Sequence, residues 1–353
     1  MPAPSSIPTP ERLLDLVTRL AGQKVVMLAD LVADRFVHGA PKRISREAPV
    51  LILRLERETT IPGGGANAVA NVAALDGVPV TLGAVGDDVN GRELLHALGE
   101  RGVRTEGVLK APGYKTPTKT RVLAGGRHAI KQQVVRYDIE DEWRPDAPAL
   151  AALGDGVDFS DVGAAVLSDY GYGAVSRESV EALRTRLGDV PMLGDSRYRL
   201  DGLGRLDGAT PNLEEAEQLA GGALELEGDL HRGGRKLRER LGARFLLITR
   251  GSAGMSLFES GQVHHLPVHG TDQVADVTGA GDTVIGTFAL ALAAGATPLE
   301  AACLANYAGG IVVMKMGTAT LGRGELDGAV RDDAQLLDAI RRIDLSADAR
   351  AAT

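Results

Sequence analysis

The chain has 353 residues and a net charge of -8, and 44% of its residues are hydrophobic. This length allows one large α/β domain or two medium ones. The negative charge argues against non-specific binding to nucleic acids or membranes, which requires clustered cations. The single cysteine, Cys303, excludes an internal disulfide framework and a metal site built from several cysteines. Because the chain shows neither a signal-peptide pattern nor an apolar run of membrane length, we expect a soluble, cytoplasmic protein.

The first part of the chain predicts a disordered start, one helix and one buried strand. MPAPSSIPTP is rich in Pro and Ser, and Glu11–Leu20 has helical periodicity. The apolar run KVVMLAD, Lys24–Asp30, is typical of a buried parallel strand. We therefore assign residues 1–22 to the start and first helix, 23–345 to the folded domain and 346–353 to a frayed tail.

Two later segments predict exposed β-structure. Val50–Thr60 alternates apolar with charged residues, and a second such zone spans Thr118–Asp138 around the turn Ala124–Arg127. Alternation of this kind indicates half-exposed antiparallel strands. We expect these segments to form an appendage to the core.

From there on, short apolar strands alternate with helices, which predicts βαβ units and a mostly parallel sheet covered on both faces. The predicted strands are Ala164–Tyr170, Pro191–Asp195, Gly208–Thr210 and Arg244–Gly251, and the predicted helices are Ser176–Leu187, Leu213–Ala220 and Leu230–Leu241. Ligands bind beyond the carboxyl ends of such strands. Asp30, Asp169, Asp195 and Asn212 all follow strand ends, so we expect them to converge on one rim.

DVTGAGDTVIGTF, Asp276–Phe288, places small residues immediately before an Ala-rich helix. It matches neither the nucleotide-binding P-loop nor the dinucleotide fingerprint. The backbone N–H groups of Gly279, Ala280 and Gly281 are accessible at a helix N-terminus, where an anion is stabilised. Asp282 beside such an anion site suits a general base that deprotonates a hydroxyl attacking a phosphate. The alternative is a Gly-rich loop with a helix-capping Asp.

Three further motifs have both a functional and a structural interpretation. In PGGGAN, Gly64 and Gly65 allow close approach of a ligand and Asn67 can bind sugar hydroxyls, or the stretch is a helix-start turn. In NLEE, Asn212 and Glu215 suit Mg²⁺ held mostly through water, or form a helix capping box. TRGSAG, which holds Gly251 and Gly254, is by itself only a turn.

In this order, GGxxN, NxxE, TRGxxG and DxTGAGD resemble the ribokinase-like (PfkB) carbohydrate kinases over about Lys24–Leu321. RISREAPV, PTKTRVL, QQVVRYD, VLSDYGYG and VVMKMGTAT are similar to segments of the heptose-7-phosphate kinase/ADP-heptose synthase family. The resemblance implies a doubly wound α/β domain with helices on both faces and a small β-sheet lid over the sugar. It places the lid at about 36–60 and 116–138, where it often pairs two subunits, so we expect a homodimer.

The resemblance also assigns roles residue by residue. Asp282 matches the catalytic base, Gly279, Ala280 and Gly281 match the anion hole, and Asn212 and Glu215 match the pair that organises Mg²⁺ and phosphate. Positions around ATP are matched by Thr249, Arg250, Gly251, Gly254, Asn306, Lys315 and Gly317. Sugar-side positions are matched by Asp30, Gly64, Gly65, Asn67, Arg136 and Asp169. Lys119 and Arg121 on the lid can bind a sugar phosphate, since a second phosphate requires its own cations, or they form a solvated strand face.

Two departures from the heptose family concern the substrate. Tyr172 stands where that family has a lysine, and Ser196 and Arg197 replace a Pro-Lys pair. Arg is a planar fork and not a point charge, so the exchange at Arg197 is not neutral. We also expect no cytidylyltransferase-like second domain, because the chain stops soon after the last kinase motif.

The leading hypothesis is an ATP- and Mg²⁺-dependent kinase for the anomeric hydroxyl of a heptose 7-phosphate. Its rivals are a kinase of the same fold for another sugar, sugar phosphate or nucleoside, and a non-catalytic sugar- or nucleotide-binding protein. The intact Asp282 beside the Gly279–Gly281 anion site argues against the binding protein, which has no need of a base there. No nucleic-acid or membrane partner is expected.

Overall fold

The computed structural model describes residues 6–125, 131–197, 199–270 and 274–345. The helices in these residues are α1 Pro10–Arg19, α2 Gly65–Ala74, α3 Val89–Gly99, α4 Ala147–Ala152, α5 Arg177–Leu187, α6 Leu213–Ala220, α7 Glu227–Arg240, α8 Ala280–Ala293, α9 Pro298–Val313 and α10 Arg323–Asp332. The strands are β1 Lys24–Ala29, β2 Leu31–Ile44, β3 Leu51–Gly64, β4 Val78–Gly86, β5 Val108–Ala111, β6 Thr118–Ala124, β7 Gln132–Ile139, β8 Val162–Asp169, β9 Met192–Ser196, β10 Gly208–Ala209, β11 Phe245–Thr249, β12 Met255–Glu259, β13 Gln262–Leu266 and β14 Arg341–Asp344. Residues 1–5 of the predicted start, the predicted tail at 346–353, and Gly126 and Arg127 of the predicted turn lie outside the described residues.

A large sheet has the order β14-β13-β12-β11-β10-β9-β8-β1-β4-β5 in the described residues. The strands from β5 to β11 along this order run parallel, and β12, β13 and β14 are added antiparallel. The central strands are apolar because helices cover both of their faces. This arrangement confirms the predicted doubly wound, mostly parallel α/β fold.

Two hydrophobic cores lie on opposite faces of the large sheet. Along β1, Val25 and Met27 point into one core, and Val26 and Leu28 point into the other, as the two-residue period of a strand requires. The first core contains side chains of α1, α2, α8, α9 and α10, and the second contains those of α5, α6 and α7. Cys303 of α9 is buried in the first core, so it is the small hydrophobic residue that its Ala-rich surroundings indicate.

A second sheet, which we call the lid sheet, has the order β3-β2-β6-β7. Only Asp30 separates β2 from β1, so the lid sheet leaves the large sheet at the carboxyl end of β1. β2 pairs antiparallel with β3 and parallel with β6, and β6 pairs antiparallel with β7. The sequence predicts β3, β6 and β7 but not β2, because DRFVHGAPKRI contains Gly, Pro and charged residues in place of a clean alternation.

No helix within the described ranges is long and apolar enough to cross a membrane.

Candidate active site

The carboxyl ends of the parallel strands, the lid sheet and the start of α8 surround a cavity of about 410 Å³, which we call the central cavity. Its lining residues come from all three parts: Asp34, Gly64, Lys119, Arg121, Arg136, Asp169, Tyr170, Asp195, Arg197, Thr210, Asn212, Glu215, Thr249, Val277, Thr278, Gly279, Gly281, Asp282 and Thr318. The large sheet and α8 contribute most of the acids, and the lid sheet contributes three of the cations. We call the acids that line the cavity its acidic side and the cations that line it its basic side.

Asp282 is the third residue of α8, and only 3% of its surface is exposed. The Tyr170 hydroxyl donates a hydrogen bond of 2.7 Å to Oδ1, and the Asn67 side-chain amide donates one of 3.1 Å to Oδ2. Burial raises the pKa of Asp282 to about 6, although both hydrogen bonds lower it. A carboxylate with a pKa near neutrality, held in a fixed orientation, suits general base catalysis.

The N-terminus of α8 forms an anion site beside Asp282. Gly279 caps the helix with a φ of 81°, and a Cβ at this position would lie 2.5 Å from Nδ2 of Asn67, so the turn requires glycine. The Ala280 N–H donates to the carbonyl of Val277 at 3.2 Å. The next N–H groups, from Gly281 onward, lie at the positive end of the helix dipole, where an anion is stabilised.

A second cavity of about 320 Å³ adjoins the central cavity, and it shares Thr249, Val277 and Gly281 with it. Its other lining residues are mostly small or apolar: Gly251, Ser252, Gly254, Met255, Val268, His269, Val274, Ala280, Val284, Asn306, Gly309, Gly310 and Val313. We call it the apolar cavity. An apolar slot joined to a helix N-terminus suits a molecule that has a flat apolar part and an anionic part.

Three carboxylates besides Asp282 face the central cavity from the large sheet and the start of α6: Asp169, Asp195 and Glu215. Burial raises the pKa of Asp195, and the neighbouring Glu215 and Asp282 raise it further. Glu215 accepts the N–H of Asn212 at 2.9 Å and Asn212 accepts the N–H of Glu215 at 2.9 Å. The capping box is thus present, and both residues also line the cavity.

These oxygen donors fit a divalent cation such as Mg²⁺, which prefers carboxylate and amide oxygens. Crowded carboxylates whose pKa values are raised would be relieved by a positive ion between them. Among the described residues, no three acids at this site bring their oxygens close enough to bind an ion together. The donor set therefore suits an ion held largely through water.

Four cations form the basic side of the central cavity: Lys119, Arg121, Arg136 and Arg197. Arg121 pairs with Asp34 at 2.7 Å, and Arg136 pairs with Asp138 at 2.6 Å. Burial lowers the pKa of Lys119, and the neighbouring Arg197 lowers it further. Cations that are crowded in this way favour the binding of a multiply charged anion.

The match to known families agrees with this geometry. The model of the pfkB family carbohydrate kinases matches residues 24–322. The chain belongs to the pfkB family of carbohydrate kinases. It is a phosphotransferase that acts on a sugar hydroxyl, and sugar kinases with this fold use ATP with a divalent metal ion.

Relatives of this kinase share much of its sequence. It is 38% identical over 333 residues to the bifunctional protein HldE of Mesorhizobium japonicum, which covers 92% of this chain and 65% of the relative. It is 41% identical over 311 residues to the bifunctional protein HldE of Pseudomonas aeruginosa, and this match covers 87% of this chain and 63% of the relative. The chain thus spans just under two thirds of the length of these relatives.

Solved structures confirm the ribokinase-like fold of the kinase. The structure of Arabidopsis thaliana ribokinase complexed with ribose and ATP superposes with a TM-score of 0.67 at 22% identity, covering 88% of this chain and 99% of that one. Phosphofructokinase-2 from Escherichia coli superposes with a TM-score of 0.67 at 17% identity, over the same shares of the two chains.

Most site residues predicted for the kinase lie at one of the two cavities. Those in the central cavity are Gly64, Lys119, Arg121, Arg136, Asp169, Asn212, Glu215, Thr249, Gly279, Gly281 and Asp282. Those in the apolar cavity are Thr249, Gly251, Gly254, Ala280, Gly281 and Asn306. Asn67 contacts the cavity through its bond to Asp282. Gly65 is required by packing, because a Cβ at this position would lie only 2.7 Å from the Cβ of Ala29.

Four predicted site residues of the kinase line neither cavity. Asp30 accepts the backbone N–H groups of Tyr170, Tyr172 and Ala174 at 2.8–2.9 Å, so it fixes the loop after β8 and does not line the sugar side. The guanidinium of Arg250 donates to the carbonyl of Ala253 in its own turn.

The remaining two lie after α9. Lys315 pairs with Glu325 at 2.7 Å and donates to the carbonyl of Thr320. Gly317 donates its N–H to Asp276, which holds the stretch before α8 in place. Arg250 and Lys315 thus have local partners and line neither cavity, and their contact with the nucleotide stays a prediction.

Asp34 and Tyr170 also line the central cavity, although neither is predicted as a site residue from the sequence. Asp34 is 3% exposed and lines the central cavity, where Asp30 was expected. The chain continues from β1 through Asp30 directly into β2. The aspartate of DLVAD that lines the cavity is therefore the second one, Asp34. Tyr170 lies next to the predicted Asp169, and nothing in its sequence surroundings indicates a contact with a helix 112 residues away.

The departures from the heptose family occupy distinct places. Ser196 donates to Asp169 at 2.6 Å, and Arg199 donates to the same carboxylate at 2.6 Å, so these two residues hold Asp169. Arg197 lines the central cavity. The Tyr172 hydroxyl donates to Glu140 at 3.2 Å, and both residues line a further cavity that shares Lys119 and Arg197 with the central one.

Proposed function

We propose that this kinase transfers the γ-phosphoryl group of ATP to the anomeric hydroxyl of a heptose 7-phosphate, giving the 1,7-bisphosphate. The observation that carries the proposal is the position of Asp282. It lies at the anion site of α8 and lines a cavity that four cations also line. A sugar that reaches the base with one hydroxyl and the cations with a phosphate fits both sides at once.

ATP binds across the two cavities in this proposal. The apolar cavity takes the adenine, and the triphosphate passes Thr249 and Gly281 into the central cavity, since these residues line both. The γ-phosphate then lies at the first N–H groups of α8, where the helix dipole stabilises its charge.

The transfer follows from these positions. Asp282 accepts the proton of the sugar hydroxyl, whose oxygen forms a bond to the γ-phosphorus while the bond from that phosphorus to the bridging oxygen of ADP breaks. The N–H groups at the start of α8 stabilise the negative charge on the transferring oxygens. Asn212, Glu215 and Asp195 would hold a Mg²⁺ ion that neutralises part of the phosphate charge.

The proposal for the sugar rests on the similarity to the heptose family in RISREAPV and the lid segments, and on the cations Lys119, Arg121, Arg136 and Arg197. Arg121 and Arg136 already pair with Asp34 and Asp138, so a phosphate on the sugar would chiefly supply an anion for Lys119 and Arg197. A kinase for a hexose phosphate is the alternative. It predicts ADP formation with hexose phosphates that equals or exceeds that with phosphorylated heptoses.

Asp282→Asn tests the chemistry. The amide cannot accept the proton, so we expect ADP formation to fall by at least about a thousandfold, while Mg-ATP binds with unchanged affinity by calorimetry. Near-normal turnover of the variant would refute the role of Asp282 as the base. Scoring ADP formation by the wild type with heptose 7-phosphate, hexose phosphates and free sugars then decides the substrate class.

We also propose that two copies of the chain associate through the lid sheet. Its edge strands β3 and β7 expose apolar side chains, among them Leu51, Leu55, Val135 and Tyr137, which are 43–56% exposed. Edge strands with exposed apolar residues favour pairing with another chain. The lid segments of the heptose family, which this sheet resembles, often pair two subunits.

A further inference from the structure

Tyr170 connects the base of the central cavity to its cations. Its hydroxyl donates to Oδ1 of Asp282 at 2.7 Å. Its ring lies 5.4 Å from Nζ of Lys119 and 5.2 Å from Cζ of Arg197, measured to the ring centroid. These are cation–π distances, so one side chain contacts both the acidic and the basic side of the cavity.

The direction of the hydrogen bond follows from the ionisation of the pair. Burial and the neighbouring Asp282 carboxylate raise the pKa of Tyr170 well above its ordinary value, so the phenol keeps its proton. Tyr170 therefore donates and Asp282 accepts. A hydrogen bond to the charged form of a carboxyl group stabilises that form.

The bond leaves room for a substrate. A carboxylate oxygen can accept more than one hydrogen bond, and Asp282 receives one on each oxygen, from Tyr170 and from Asn67. With both oxygens held from the sides, the carboxylate cannot rotate away from the cavity. A sugar hydroxyl that arrives from the cavity finds the acceptor already oriented.

We propose that Tyr170 is a positioning residue of the kinase reaction, which holds Asp282 ionised and aimed at the acceptor hydroxyl while its ring supports Lys119 and Arg197. The inference rests on the proposed role of Asp282 as the base. It adds a residue that acts through the base and through the anion-binding cations and does not touch the transferred phosphoryl group.

Two substitutions separate the functions of the hydroxyl and the ring. Tyr170→Phe removes only the donor, so we expect the acid limb of the kcat/KM profile to move to higher pH by about one unit. At pH 8, where Asp282 is ionised in both proteins, kcat should fall by about tenfold because its orientation is lost, while KM for the sugar phosphate stays within twofold. Tyr170→Leu also removes the ring, so the same shift should come with a rise of at least fivefold in that KM.

Tyr307→Phe is the matched control, since the Tyr307 hydroxyl donates to the carbonyl of Asp333 and not to the active site. Its acid limb should coincide with that of the wild type. An unmoved acid limb in Tyr170→Phe, with a folded protein by thermal melting, overturns the positioning role. A poorly folded Tyr170→Phe overturns it as well if Tyr170→Leu, folded, keeps the wild-type limb. If Asp282→Asn is inactive, such a result refutes this inference alone, whereas an active Asp282→Asn refutes the proposed function itself.

Discussion

The large sheet and the lid sheet differ in burial and in what they contribute to the cavity. β8 of the large sheet is buried at six of its eight residues, whereas β7 of the lid sheet is exposed at seven of eight. The buried sheet and α8 supply the base, the anion site and most of the acids. The exposed sheet supplies Lys119, Arg121 and Arg136.

This difference indicates how the family can keep one reaction and change its substrate. The base and the anion site depend on close packing, since any Cβ at Gly279 would lie only 2.5 Å from the Asn67 side chain, so few substitutions are tolerated there. The lid side chains stand on a half-solvated sheet, where substitutions usually cost little stability. We therefore expect changes in the large sheet to affect folding, and changes in the lid sheet to affect substrate binding.

The largest effect on stability should come from replacing Asp30, and Asp34, four residues later, serves as its comparison. Oδ2 of Asp30 accepts the backbone N–H groups of Tyr170 and Tyr172, and Oδ1 accepts that of Ala174. Asp30→Asn replaces one of these oxygens with an NH₂ group, so at least one N–H group and the new NH₂ group face each other without an acceptor. Buried donors without partners cost about 1–3 kcal/mol each. The free energy of unfolding in urea should therefore fall by at least about 2 kcal/mol.

Asp34→Asn is the matched variant in the lid sheet. It keeps the shape of the side chain, and its amide oxygen can still accept from Arg121, so we expect a loss of about 1 kcal/mol together with a higher KM for the sugar. Equal losses of stability in the two variants would contradict the division between the large sheet and the lid sheet.

Asp30 and Asp34 also show which features of the fold and the site can be predicted from the sequence. The apolar runs predict the central parallel strands, and α6 begins and ends at the predicted Leu213 and Ala220, because burial on both faces selects such runs. Asp30 and Asp34 both follow the first strand, but only the path of β2 decides which one faces the cavity. That path depends on pairing with β3 over residues distant in the sequence.

The direction in which a side chain points is a second feature that could not be predicted from the sequence. Arg250 and Lys315 lie in motifs of the nucleotide side, yet both cations contact local partners and neither lines a cavity. Nor is any strand or helix predicted between residues 76 and 115, where the structure has β4, α3 and β5. The contact from Tyr170 to Asp282 joins the end of β8 to α8, and it exists only once the sheet and helix are packed.

The next effect, in order of size, concerns the lid cations. Lys119→Met removes one positive charge from the basic side of the central cavity and keeps most of the side-chain volume. We expect KM for the sugar phosphate to rise by about ten- to a hundredfold, the loss of one charge-assisted contact, while KM for Mg-ATP stays within twofold.

Lys42→Met removes an exposed lysine of the same lid sheet outside the cavity, so its kinetic constants should match the wild type. Steady-state kinetics at two salt concentrations make the comparison. If Lys119→Met changes KM for Mg-ATP as strongly as KM for the sugar phosphate, the lid does not select the sugar phosphate.

The smallest effect on catalysis, and the clearest test of the outer surface of the lid, should come from Leu55→Glu. Leu55 on the edge strand β3 is 56% exposed, and a carboxylate there would be buried unpaired if two lids associate. We expect light scattering to give about twice the chain mass of 36.9 kDa for the wild type and the mass of one chain for the variant. Leu226→Glu, at a leucine that is 71% exposed just before α7, should keep the wild-type mass. Because Leu55 lies outside the lining of the central cavity, kcat of the variant should change by less than about threefold. A wild type that is monomeric at micromolar concentration would refute the association of two lids. It would leave the proposed kinase chemistry of the large sheet unaffected.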